Sequence, residues 1–100
     1  MLLDAFKLTG KTALITGAGK GIGRAIALSY AELGANIIGI ARNKQELDSL
    51  AEEVRGHGVK ALMIACDITD QQQLDQVPEK IAAEFAALDI LVNNAGAAGR

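Results

Sequence analysis

Four short runs rich in Ile, Leu and Val, at residues 12–16, 36–41, 61–66 and 89–93, alternate with three longer stretches of helical period. Apolar runs of this length without strict polar alternation suit strands covered on both faces. In the first intervening stretch Ile22, Ala25, Ile26, Ser29 and Leu33 fall on one stripe; in the second Leu47, Leu50, Ala51 and Val54 do so. Leu74, Val77, Ile81 and Phe85 line the third. Parallel neighbours cannot be joined by a tight hairpin, so strand–helix alternation predicts right-handed crossovers and a doubly wound parallel α/β sheet of three to four strands with helices on both faces.

Local signals sharpen the helix boundaries. Asn43 followed three residues later by Glu46 reads as a capping box opening the second helix. Gly34 after the first helix, and Gly56 or Gly58 after the second, stand where a left-handed residue ends a helix. Pro78 removes a backbone donor inside the third, predicting either a kink or two shorter helices with Pro78 in the first turn of the second.

Composition limits what the chain can bind. Half of the 100 residues are hydrophobic, enough for an ordinary core, and the formal net charge is -2. No global positive field is present to recruit nucleic acid or an anionic membrane, so any bound anion must be held locally. The apolar run 61–66 is far too short for a membrane span, and Met1 to Leu8 lacks the basic start and long apolar centre of a secretory signal, which sets the expectation of a cytoplasmic protein. Cys66 has no partner for a disulfide, and its apolar neighbours predict a buried, inert thiol.

Between the first strand and the first helix lies Thr16-Gly17-Ala18-Gly19-Lys20-Gly21-Ile22-Gly23. A helix start presents unpaired N–H groups and the positive end of its dipole, and a loop without side chains lets a phosphate reach them. Gly17 is expected to make the turn out of the strand, Gly21 to admit a pyrophosphate, and Gly23 to let the helix pack closely on the sheet. The string does not fit G-x-G-x-x-G in either register, since Ile22 or Arg24 stands at the third position; it fits T-G-x-x-x-G-x-G. Gly10-Lys11-Thr12 ends like a phosphate-binding ATPase loop, but Ala5 occupies the partner glycine's place and the triplet precedes the strand.

With Asn93-Asn94-Ala95-Gly96 closing the fourth strand, this motif makes residues 8–96 resemble the N-terminal, cofactor-binding part of a classical-type short-chain dehydrogenase/reductase. The resemblance implies a Rossmann-type fold, with this chain the first half of a larger seven-stranded domain and residues 1–100 the N-terminal part of a single dinucleotide-binding domain. It implies a nicotinamide dinucleotide held by Gly17, Gly19, Lys20, Gly21, Ile22, Gly23, Arg42, Asn43, Asp67, Ile68, Asn94, Ala95 and Gly96. Asp67 would meet the adenine amino group or, alternatively, serve only as a turn or cap acid. The first Asn of the second motif would tie backbone groups of the sheet together.

NAD is selected in such folds by a carboxylate at the tip of the second strand, which accepts from the ribose 2'-hydroxyl. Here that place reads Ile40-Ala41-Arg42-Asn43. A guanidinium suits a 2'-phosphate, and Lys20 adds a second positive charge, so NADP(H) is the expected cofactor. The chemistry implied is hydride transfer between nicotinamide and a small-molecule carbonyl or secondary alcohol, through a tyrosine, a lysine and a serine expected beyond these residues. Tyr30 has Gly34 rather than lysine four residues on, and His57 between two glycines is expected in an exposed turn, so no catalytic residue is assigned. A homo-oligomer, dimer or tetramer, is also implied. A non-catalytic dinucleotide-binding module or a truncated folding fragment is the alternative; a methyltransferase of similar fold is disfavoured because Ala41-Arg42 lacks the acid its ribose hydroxyls require.

Overall fold

The alternation is realised as β1 (Thr12–Thr16), α1 (Gly21–Glu32), β2 (Asn36–Ala41), α2 (Lys44–Arg55), β3 (Ala61–Ala65), α3 (Gln71–Asp75), α4 (Val77–Ala82) and β4 (Ile90–Val92). The structure, a computed structural model, describes residues 7–94. All four strands are parallel, in the order β3-β2-β1-β4. Thr12 pairs with Asn36 at one end of the central pair and Thr16 with Ile40 at the other. Consecutive parallel strands that step first one way and then back across β1 require crossovers on opposite faces, and the packing shows this.

One face buries Ala13, Ile15 and Ile37 of the sheet beneath Ala27 and Ala31 of α1 and Leu50 and Val54 of α2. The opposite face buries Leu14, Ile38, Ile40 and Ile64 with Val77, against which Leu74, Ile81 and Phe85 pack. The α2 stripe expected from the sequence is therefore the buried one: Leu47, Leu50, Ala51 and Val54. Pro78 falls in the first turn of α4, after a break at Gln76, where its missing N–H removes no helical bond. Of the glycines expected to end helices, Gly34 (φ 101°) and Gly58 (φ 82°) are left-handed, whereas Gly56 is right-handed at φ -60°.

Helix α1 is turned differently from the stripe the sequence suggested. Gly23, Ala27 and Ala31 face the sheet, while Ala25 and Ser29 are exposed and Ile22 is 71% exposed. The physical cause is close approach: residues four apart with little or no side chain form a flat face, so α1 lies tight on β1 while Ile26, Leu28 and Tyr30 pack at its flanks. Size, rather than hydrophobicity, selected the contact face.

At the amino edge, Asp89 supplies what the short strand β4 lacks, its N–H donating to the Thr12 carbonyl at 2.9 Å and its carboxylate accepting from the Thr12 N–H at 2.9 Å. Cys66 is buried beyond the end of β3, and burial, with the nearby Asp67 charge, pushes its thiol up from the usual value. No helix among the described residues is long and apolar enough to cross a membrane.

Candidate cofactor site

All four strands end on one edge, and the order reverses at β1, so the crevice above the carboxyl ends of β2, β1 and β4 is the place where an open α/β sheet binds ligands. Gly17 leaves β1 at φ 65° and Gly21 begins α1 at φ 61°, a region other residues enter only with strain. Between them the Ala18 N–H donates to the Ile40 carbonyl at 3.2 Å and its methyl group is fully buried, which fastens the loop to β2.

Gly23 is required for a different reason. A Cβ there would penetrate the Gly17 carbonyl and lie 2.7 Å from Asn94 Nδ2. Asn94 closes this knot from β4: its amide donates to the Gly17 carbonyl at 3.3 Å, and its backbone N–H donates to Thr16 Oγ1 at 2.9 Å. The Thr16 hydroxyl proton in turn lies between the Val92 carbonyl (3.4 Å) and Asn93 Oδ1 (3.3 Å). The tie between backbone groups is thus made by the second asparagine of the motif, not the first as the resemblance implied. Ala95 and Gly96 lie outside the described residues.

The result is an open helix end. Lys20 occupies the N-cap of α1 in extended conformation, no side chain among the described residues caps the orphan N–H groups, and the first turn holds no acidic residue. Nothing lies within 4 Å of a Cβ placed on Gly21, so space remains in front of these donors. The ends of α2 and α3 are by contrast filled: Asn43 Oδ1 accepts from Glu46 N–H at 3.0 Å, and Asp70 Oδ1 accepts from Gln72 and Gln73 at 3.0 and 3.3 Å. Asn43, counted among the expected cofactor contacts, is occupied at that cap. The cradle of α1 fits a diphosphate, because among the described residues no side chain caps its donors, its dipole is positive and the space beside Gly21 is open.

Two cations border the loop. Lys20 and Arg42 are both exposed and make no hydrogen bond or ion pair among the described residues. Ile22 projects from the first turn of α1, and Ile68 is half-buried against the second core. Asp67 is held as a turn acid, with Oδ1 accepting from the Thr69 N–H (2.9 Å) and hydroxyl (2.7 Å). These two bonds hold its carboxyl below the usual carboxylate range; slight burial opposes them and the Arg42 charge adds to the lowering.

Residues outside the expected set also build the site. Glu46 reaches back from α2 so that its Oε1 lies 2.7 Å from a Cβ placed on Gly19. Arg24 ties α1 to α2, pairing with Glu53 and donating to Ser49 Oγ at 3.2 Å and the Glu46 carbonyl at 3.4 Å. Gly39 leaves room for Met63, whose Sδ would be 2.6 Å from a Cβ there, and for Ala18, whose Cβ would be 3.3 Å away. A cavity of about 430 Å³ lined by Asp48, Arg55, Ala61 and Glu84, among others, lies instead at the amino edge beside α2 and β3 and contains none of these groups. His57 is exposed in the turn after α2.

A doubly wound parallel sheet whose glycine-rich first crossover leaves a helix end open defines a dinucleotide-binding type of α/β protein. The family model described as short chain dehydrogenase matches residues 11–100, and the chain belongs to that family. An uncharacterized oxidoreductase of Mycobacterium tuberculosis is 42% identical over 96% of this chain and 36% of its own length. The L-sorbose reductase of Gluconobacter frateurii, solved with NADPH and L-sorbose, superposes with a TM-score of 0.85 at 41% identity, covering 90% of this chain and 35% of that one. A xylitol dehydrogenase solved with NAD+ also reaches 0.85, at 38% identity over 90% of this chain and 35% of that one. The chain spans between 20% and 36% of the length of the first three curated relatives it matches.

Proposed function

We propose that this chain forms the dinucleotide-binding part of an oxidoreductase that moves hydride between NADP(H) and a carbonyl or secondary alcohol of a small molecule. The open N-terminus of α1, framed by Gly17, Gly21 and Gly23, carries this reading. Its N–H groups and dipole bind and orient the diphosphate, and the open space beside Gly21 admits it. The nicotinamide supplies the hydride donor or acceptor when bound. Asp67 retains Oδ2 as an acceptor for an adenine amino group while Oδ1 stays in its turn. On the family resemblance, residues 1–100 form part of a single dinucleotide-binding domain, and the working protein is a cytoplasmic homo-oligomer.

Preference for NADP(H) rests on this chain's own residues, because relatives solved with NADPH and with NAD+ fit its fold equally well. Arg42 at the tip of β2 offers paired donors to a 2'-phosphate, and Lys20 a second charge. One charge-assisted contact contributes about 1.5–3 kcal/mol, so Arg42→Ala is expected to weaken NADPH binding by about tenfold to a hundredfold and NADH binding little. Titration of both cofactors against wild type and variant tests this. Equal wild-type affinities for the two would refute it.

A further inference from the structure

Glu46 stands at the third position of α2, where a capping box would send its carboxylate back to the Asn43 N–H. Only half of that box forms: Asn43 Oδ1 accepts from the Glu46 N–H, but the Glu46 carboxylate accepts nothing from Asn43. It extends over the glycine loop instead, where one point, the Cβ position of Gly19, lies 2.7 Å from Glu46 Oε1 and 3.5 Å from Ala41 Cβ. Gly19 immediately precedes Lys20, and Ala41 immediately precedes Arg42. The carboxylate therefore lies over the glycine loop at the residue before Lys20, with the residue before Arg42 beside the same point.

The nearest available cation is turned away. Arg24 reaches the Glu46 backbone carbonyl at 3.4 Å yet gives its charge to Glu53, and the carboxylate of Glu46, a half-buried residue, has no hydrogen bond or ion pair among the described residues. A carboxylate only accepts, so a ribose hydroxyl complements it and a phosphate does not.

We infer that Glu46 is a selectivity residue of this site, supplying from α2 the acceptor that the tip of β2 lacks and opposing the 2'-phosphate preference given by Arg42 and Lys20. The inference rests on the dinucleotide site proposed above, but its sign is opposite to that of Arg42, so the two are separable. The probes are adenosine 2',5'-bisphosphate and adenosine 5'-monophosphate, which differ only in the 2'-phosphate, titrated calorimetrically against the full-length gene product. Glu46→Gln keeps the side chain's size over Gly19 and removes its charge; the affinity ratio of bisphosphate to monophosphate is expected to rise about three- to tenfold, the scale of one partly screened like-charge contact. Glu46→Asp withdraws the charge and is expected to give a smaller rise. Structural damage alone would weaken both ligands together and leave the ratio unchanged, and an unchanged or lower ratio overturns the inference. Arg42→Ala run alongside is expected to lower the ratio; if it does not while E46Q raises it, the Arg42 assignment fails and that of Glu46 stands. Failure of both ligands to bind the wild type overturns both.

Discussion

Replacing Gly23 by alanine should destabilise this protein, although the same change inside most helices stabilises it by about 0.8–1 kcal/mol. The added methyl group would enter the Gly17 carbonyl, 2.8 Å from its carbon and 2.7 Å from Asn94 Nδ2. The carbonyl oxygen lies closer still than its carbon, so helix and loop must separate by roughly 1 Å to restore ordinary contact. Neither side yields easily: α1 is seated through buried Ala27 and Ala31, and the loop is fastened by the Ala18–Ile40 hydrogen bond. Overpacking of this kind costs about 1–3 kcal/mol, and loss of the Asn94–Gly17 hydrogen bond about 0.5–1.5 more, leaving a net loss of about 0.5–3.5 kcal/mol after the propensity gain. Urea unfolding of wild type and G23A measures it. In the double variant with Asn94→Ala the cost should be less than the sum of the single costs, because Asn94 is both a hydrogen-bond donor and a clash partner. Wild-type stability and unchanged NADPH affinity in G23A would refute the close-approach argument.

The turn of α1 makes a paired forecast: Ala27→Leu should cost about 1–3 kcal/mol by overpacking against the sheet, whereas Ile22→Ser should change unfolding free energy by less than about 0.5 kcal/mol. The reverse pattern in denaturant melts would show that the larger apolar stripe is the buried one. The Asp67 carboxyl, held below its unfolded value, contributes stability that is present above the ordinary aspartate range and lost as pH falls through the depressed folded value. Thr69→Val removes the largest cause, so the Asp67 resonance should titrate at higher pH by carboxyl NMR and the stability difference from wild type should vanish in acid; an unmoved titration would sink the assignment.

Much of this arrangement was legible in the sequence because its signals are local. The α2 stripe, the Asn43 cap and the position of Pro78 each follow from residues within one or two turns of one another, and the structure agrees at all three. The face of α1 was not legible in the same way. Hydrophobicity ranks Ile22 above Gly23, but the contact at β1 is decided by how near a backbone must come, and that distance is set by Gly17 and Asn94 from outside the helix. Asn94 and Thr16 are 78 residues apart when they bond, so no local pattern could pair them. The repeated spacing of Gly23, Ala27 and Ala31 was the available signal, read by size instead of hydropathy.

Glu46 shows the same limit at the site itself. The tip of β2 carries Ala41 and Arg42 and no acid, whereas a carboxylate beside the glycine loop comes from the helix that follows. In space the first turn of α2 folds back over the loop, so a residue four positions beyond Arg42 comes beside Gly19. Its charge is further favoured there by the positive end of α2. The inference for Glu46 makes cofactor preference a balance between cations read from the sequence and a carboxylate that only the fold brings to the glycine loop, and the sign of the change in Glu46→Gln tests it.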